Sequence, residues 1–167
     1  GLAFAAIAAA NVALTYRFGR GPHVIPLPED TLKLLRPLVL VGAILVVLVT
    51  ALIFGGAASA RWSSILGFLN ATSFGITEPQ FGRDVSFYVF TLPVHRLQQG
   101  WLLGSVIVTA LMTAAMYFVH FSLRGAVFAF TTPVRIHLSV LGALLMFVFA
   151  YGYWLDVLSL VYSDRGA

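Results

Sequence analysis

The sequence predicts an all-α fold: a multi-pass transmembrane helical bundle with an amphipathic, partly re-entrant loop on its outer face. Hydrophobic residues make up 60% of the 167 positions and charged residues 10%, against roughly 45–50% and about 25% in globular proteins. So few charged side chains cannot cover that much apolar surface in water. The apolar residues are also concentrated in runs close to the roughly 20 residues that a helix needs to cross a bilayer.

Four apolar runs are predicted to form the spans of a single transmembrane domain, residues 1–167. The first, residues 2–16, is short, and we expect it to be part of a longer helix because it lacks the charged leader and cleavage site of a signal peptide. The others, residues 38–60, 101–123 and 137–162, are each long enough to cross a hydrocarbon core of about 30 Å at 1.5 Å per residue. The connection at residues 17–37 is polar and rich in proline, which favours an extended linker.

The middle connection, residues 61–100, begins with an amphipathic segment. Apolar side chains recur there with helical spacing, at Trp62, Ile65, Leu66 and Leu69. This pattern predicts either a helix lying in the headgroup plane or a few more turns of the preceding span.

Residues 84–93 form the second amphipathic segment of this loop. Their β-branched and aromatic content fits a strand, while Asp84 as N-cap and Pro93 as terminator fit a two-turn helix. We favour the helix, because a lone strand at membrane depth would leave backbone groups unpaired.

The charges of the connections predict an orientation in the plasma membrane. Six basic residues lie in the first and third connections: Arg17, Arg20, Lys33, Arg36, Arg124 and Arg135. Four lie in the middle connection and the tail: Arg61, Arg83, Arg96 and Arg165. Since Lys and Arg are enriched in cytoplasmic loops, residues 61–100 are predicted to be extracytoplasmic.

Composition and motifs also exclude several kinds of partner, cofactor and catalytic site. The net charge of +4 reflects few acids rather than a basic patch, so we exclude nucleic acid as a partner. The absence of cysteine removes disulfides, thiolate nucleophiles and Cys-ligated metals. Common nucleotide, hydrolase and metalloprotease motifs are absent as well. We therefore predict no catalytic residue, no cofactor and no metal site, and lean against an enzyme.

Asp156 is the one acid inside a predicted span, and such acids are functional candidates by default. It lies close to the end of its span, where a structural pair is the competing interpretation, with Arg61 as the predicted partner. A proton or ion relay would need further polar groups at depth, and we expect none. His120 and His137 are too few for a zinc site and are predicted to cap helices or contact lipid headgroups at the interface.

The middle loop carries a motif, N-x3-FG-x2-[DE]P-x-FG-x-D-x-SFY-x-F-x-LP, at residues 70–93. Its candidate structural or functional residues are Asn70, Phe74, Gly75, Glu78, Pro79, Phe81, Asp84, Phe87, Tyr88 and Pro93. This motif resembles Uncharacterised Protein Family 0182, and the likeness continues in Arg135-x-His-Leu-Ser, Tyr153-Trp-Leu-Asp and Leu160-x-Tyr-Ser, covering roughly residues 36–164. Glu78 stands where the family usually has Asp.

The resemblance implies a fragment of a large bacterial membrane protein that has several spans followed by a big soluble region. The family brings no assigned activity. The expected partners are the lipid bilayer and the other helices and soluble region of the same full-length protein. Our leading hypothesis is a membrane anchor of a larger envelope protein. The alternatives are part of a transporter, or of a membrane enzyme that acts on lipid-linked substrates through the middle loop.

Overall fold

The computed structural model describes residues 1–19, 29–122 and 131–163, which are mostly helical and contain no strand. The five α-helices are α1 (Leu2–Phe18), α2 (Glu29–Ser59), α3 (Trp62–Leu69), α4 (Leu92–Ser122) and α5 (Thr132–Leu158). A π-helical turn, Phe87–Thr91, runs directly into α4, and a 3-10 turn, Ser159–Tyr162, follows α5. The predicted all-α helical fold is confirmed.

Within the described residues, three segments are long and apolar enough to cross a membrane, by length and composition: Lys33–Ser59, Phe87–Ser122 and Thr132–Tyr162. The helix α1 is apolar but shorter. Large side chains of α2 face outward, among them Leu48 at 53% exposed and Leu52 at 76%. A helix with exposed apolar side chains along its length is solvated by lipid more favourably than by water, so these helices fit a membrane protein.

The helix α2 begins well before the predicted span at residue 38. It starts at Glu29, the charge of Asp30 suits a helix N-terminus, and the Lys33 Nζ lies 3.5 Å from the Asp30 Oδ1. The helix then continues through Pro37. The prediction of an extended linker was therefore wrong for residues 29–37, while residues 20–28 of that linker lie outside the described part of the chain.

Residues 85–93, directly after Asp84, are helical, as favoured, but Pro93 does not end the helix, because α4 continues to Ser122. The reason lies in the π-helical turn just before it, where the Leu92 N–H donates to the Phe87 carbonyl, an i→i+5 bond. The next such bond would need an N–H at Pro93, which proline lacks. The Tyr88 carbonyl accepts instead from the Tyr162 hydroxyl at 2.7 Å.

The chain divides into two compact units. Unit 1 comprises Gly1–Gly56 and Ser105–Leu144, and unit 2 comprises Ala57–Gly104 and Leu145–Ala167. Within unit 1, Tyr117, Phe121 and Val134 form a buried cluster. Within unit 2, the buried cluster consists of Tyr88, Leu92, Leu155 and Leu158, with Phe81, Phe87, Tyr151 and Val161 packed against it.

Candidate functional site

The segment between α3 and the π-helical turn, residues 70–86, is a folded loop that we call the acidic loop. Thr77 and Asp84 form an isolated antiparallel bridge, and the Glu78 N–H donates to the Arg83 carbonyl at 2.8 Å. The loop reverses direction between them, where the Gly82 N–H donates to the Glu78 carbonyl at 3.0 Å. The middle of the sequence motif is therefore a hairpin-like turn.

The two motif glycines of this turn have a conformational role. Gly75 has φ 69° and Gly82 has φ 65°, in the left-handed region that residues with a Cβ adopt at a cost. A Cβ built on either glycine would meet no atom within 4 Å. Backbone conformation rather than space therefore explains glycine at both positions.

Asp84 ties the acidic loop to the start of the helix. Its carboxylate accepts hydrogen bonds from the Ser73 hydroxyl at 2.5 Å, the Phe74 N–H at 3.1 Å, the Gly75 N–H at 3.0 Å and the Ser86 N–H at 2.8 Å. The bond from Ser86 is that of a helix N-cap, which confirms the predicted capping role. The Ser73 hydroxyl, together with the Ser86 and Phe74 donors, holds the pKa of the Asp84 carboxyl far below its ordinary value.

Glu78 uses its carboxylate within the same loop. Its Oε1 accepts from the Gln80 N–H at 2.5 Å, and its Oε2 accepts from the Phe81 N–H at 2.8 Å and from the Tyr88 hydroxyl at 3.3 Å. The residue is 9% exposed. Like Asp84, Glu78 therefore accepts its hydrogen bonds from the acidic loop and the start of the helix that follows it. Pro79 comes directly after Glu78, inside the turn.

The remaining motif residues pack or cap. The Asn70 side chain donates to the Leu66 carbonyl at 2.9 Å and ends α3. The ring of Phe74 meets the ring of Phe90 edge-on, with centroids 5.6 Å apart. The aromatic residues Phe81, Phe87 and Tyr88 belong to the buried cluster of unit 2.

Asp156 pairs with Arg96, not with Arg61. The Arg96 Nη1 lies 2.6 Å from the Asp156 Oδ1, and its Nη2 donates to the Ser159 hydroxyl at 2.7 Å. The prediction of Arg61 was wrong because Arg96, on α4, reaches the end of α5, whereas Arg61 is the N-cap residue of α3. A further polar contact adjoins this pair, because the His95 Nδ1, one residue before Arg96, lies 2.6 Å from the Tyr151 hydroxyl.

A second polar cluster lies inside unit 1, and sequence reasoning missed it. His137 is 6% exposed. Its Nε2 lies 3.0 Å from the Asn11 Oδ1 and its Nδ1 lies 2.9 Å from the Tyr117 hydroxyl, so the ring joins α1, α4 and α5. The prediction that His137 is an interfacial cap was wrong, since its ring is buried and hydrogen-bonded on both nitrogens.

Three buried hydroxyls continue this polar line along α4. Ser105, Thr109 and Thr113 are between 1% and 3% exposed, and their hydroxyls have no hydrogen-bond partner among the described residues. They share an i, i+4 spacing with Tyr117, which was the available sequence signal. The expectation that no further polar groups lie within the spans was therefore wrong. In the described ranges, no group of three His, Asp or Glu side chains is placed to hold a metal ion.

Three membrane-length apolar helices and a locally capped loop fit the class of helical membrane proteins. The chain belongs to the Uncharacterised protein family (UPF0182), whose family model matches residues 1–167. A UPF0182 protein of Frankia alni is 34% identical over 99% of this chain and 17% of its own length. A relative in Rhodococcus erythropolis is 34% identical over 99% of the chain and 18% of its own length.

A third relative, from Moorella thermoacetica, is 39% identical over 74% of the chain and 14% of its own length. The chain thus spans less than a fifth of the length of these bacterial relatives. No solved structure matches it.

Proposed function

We propose that this chain forms part of the membrane anchor of a larger bacterial envelope protein, with the acidic loop as a folded connector between two spans. The observation that carries the proposal is the use of both loop carboxylates. Asp84 and Glu78 accept hydrogen bonds from backbone N–H groups of their own loop, and Asp84 also accepts from the Ser73 hydroxyl. Groups engaged in this way hold a backbone conformation, which is what an anchor requires of its connector.

The same geometry argues against an enzyme that acts on lipid-linked substrates through this loop. A general acid or base must reach a substrate proton and titrate near the working pH. The hydrogen bonds to Asp84 keep its carboxyl ionised far below neutral pH, and the Glu78 carboxylate is buried against Tyr88. Neither acid is placed for proton transfer.

Separate Asp84→Ala and Glu78→Ala variants of the full-length protein test the anchor. We expect each variant to be less abundant in membranes and less stable to heat after solubilisation. Asp30→Ala is the matched control, because Asp30 is 97% exposed and outside the loop, and it should change neither quantity. Variants that stay abundant and stable yet fail to complement a deletion strain would overturn the anchor and favour an enzyme.

A transport role is the second candidate, because unit 1 contains buried polar groups of the kind that line transport paths. The supporting groups are the Asn11–His137–Tyr117 cluster and the three α4 hydroxyls that have no hydrogen-bond partner among the described residues. Thr113→Val removes one hydroxyl at nearly constant shape. Stable protein that fails to complement would favour transport, and full complementation would favour the anchor.

A further inference from the structure

Three apolar side chains on one face of the helix α3 are exposed. Trp62, Leu66 and Leu69 are 58%, 41% and 68% exposed. At about 100° per residue, they fall within an arc of about 60° on one face of the helix. We call these three side chains the apolar stripe of α3.

The opposite side of α3 is the one that contacts the protein. A Cβ built on Gly67 would lie 3.4 Å from the Phe90 ring, at van der Waals contact, so this side of α3 faces Phe90. By helix geometry, Gly67 is about 130° from the centre of the stripe. The stripe is therefore not the contact through which α3 packs on unit 2.

Other apolar side chains of the acidic loop and the π-helical turn are also exposed. They are Phe74 at 45%, Ile76 at 62% and Val89 at 51%. Apolar surface left in water loses the stabilisation that burial would give it. Exposed apolar surface of this kind marks a site of interaction with a membrane or a protein.

We propose that the apolar stripe of α3 inserts into the bilayer interface and contacts lipid acyl chains. The inference rests on the proposed membrane function and adds a lipid contact outside the spans. The helix starts at Trp62, three residues after α2 ends at Ser59, so at most about 10 Å of chain separates it from a candidate span. Tryptophan favours the membrane–water interface, and the adjacent Arg61 supplies a cation for lipid phosphates.

Nitroxide labels test the contact in full-length protein with its native cysteines replaced, reconstituted in vesicles of phosphatidylcholine and phosphatidylglycerol. Leu69→Cys places the label on the stripe, and Ser63→Cys places it on an exposed polar position of the same helix. We expect collisions with oxygen to exceed collisions with a water-soluble nickel chelate severalfold at residue 69, and the reverse at residue 63.

Two results would overturn the proposal. Preferential collision with nickel at residue 69 would place the stripe in water. Shielding from both reagents would mean that protein covers it. Leu48→Cys, on the outward face of α2, separates this failure from failure of the membrane function. A lipid signal at residue 48 without one at residue 69 would leave the anchor standing.

Discussion

At the scale of single residues, the acidic loop shows how the residue types of its motif follow from the requirements of the backbone. Gly75 and Gly82 supply the two left-handed conformations. Asp84 and Glu78 then satisfy the N–H groups that these turns leave without backbone partners. Phe81, between them, packs against the buried cluster of unit 2.

The ionised Asp84 carboxylate makes the loop's stability depend on acid in a defined direction. Hydrogen bonds depress its pKa in the folded protein below the ordinary 3.8. Its contribution is therefore complete above about pH 4 and is lost as pH falls through the depressed value. A nitroxide at the exposed position 77 should stay immobilised down to about pH 4 and become mobile only below it.

Asp84→Asn should leave this label mobile at every pH, because the amide cannot accept all four hydrogen bonds. Glu78→Gln keeps Asp84 and should keep the acid transition. If the label in the otherwise unaltered protein became mobile between pH 6 and about pH 5, the assignment of the transition to Asp84 would be contradicted. Even an ordinary carboxyl titrates below that range, and one with a depressed pKa titrates lower still.

The ion pair of Asp156 gives a residue-level prediction of its own. A double-mutant cycle on Arg96→Ala and Asp156→Ala should give a coupling of about 0.2–1 kcal/mol in the free energy of unfolding, because the side chains are 35% and 61% exposed. The matched cycle with Arg61→Ala should give none. Coupling to Arg61 in place of Arg96 would contradict the observed pairing.

Residue type alone was enough to predict that Asp84 caps a helix, because an acid before an amphipathic segment has few other roles. The partner of Asp156 was not predictable in the same way. Several arginines lie in or near the middle loop, and the choice among them depends on the register of α4 against α5. Packing of side chains on both helices sets that register, and no local pattern records it.

At the scale of elements, the start of α4 shows a similar limit. The helix at residues 84–93 was predicted from the free-energy cost of the unpaired backbone groups of a lone strand. The role of Pro93 was not predicted correctly. Because Pro93 lacks an N–H, the Tyr88 carbonyl accepts instead from the hydroxyl of Tyr162, which follows α5 in the sequence. A prediction from the local sequence treats proline as a helix terminator, and it cannot include a hydrogen-bond donor so distant in the sequence.

Tyr162→Phe tests this compensation. It removes the hydroxyl that donates to the Tyr88 carbonyl at 2.7 Å, and we expect a loss of about 1 kcal/mol in the free energy of unfolding. Tyr153→Phe is the matched control, because Tyr153 is 72% exposed and should change stability little. Equal effects of the two substitutions would mean that the Tyr162 hydroxyl does not support the turn.

The buried hydroxyls of α4 also belong to the scale of elements. They predict that replacing a polar residue there leaves stability unchanged or raises it. Thr109 is 1% exposed with no hydrogen-bond partner among the described residues, so its hydroxyl costs about 1–3 kcal/mol where it lies. Thr109→Val should therefore leave stability unchanged or raise it in thermal unfolding. Thr15→Val should lower it, because the Thr15 hydroxyl donates to the Asn11 carbonyl at 2.8 Å. A clear loss at Thr109 would show that its hydroxyl is bonded.

At the scale of the whole molecule, composition was the most reliable guide. The 60% hydrophobic content predicted membrane-length helices, and Lys33–Ser59, Phe87–Ser122 and Thr132–Tyr162 have that character. The bounds were less predictable, because α2 begins at Glu29 and α4 at Leu92, in more polar residues that precede the predicted apolar runs. Orientation depends on only a few Lys and Arg residues, and so it stays a prediction.

Labelling of exposed threonines tests that orientation. Thr77 lies in the acidic loop, and Thr131 lies at the start of α5 in the connection predicted to face the cytoplasm. In a cysteine-free full-length protein, Thr77→Cys should react with an impermeant maleimide in intact cells, because the six basic residues of the other connections hold those segments inside. Thr131→Cys should react only after lysis. Since both side chains are exposed, a difference between them reports the side of the membrane rather than burial, and the reversed pattern would place the acidic loop in the cytoplasm.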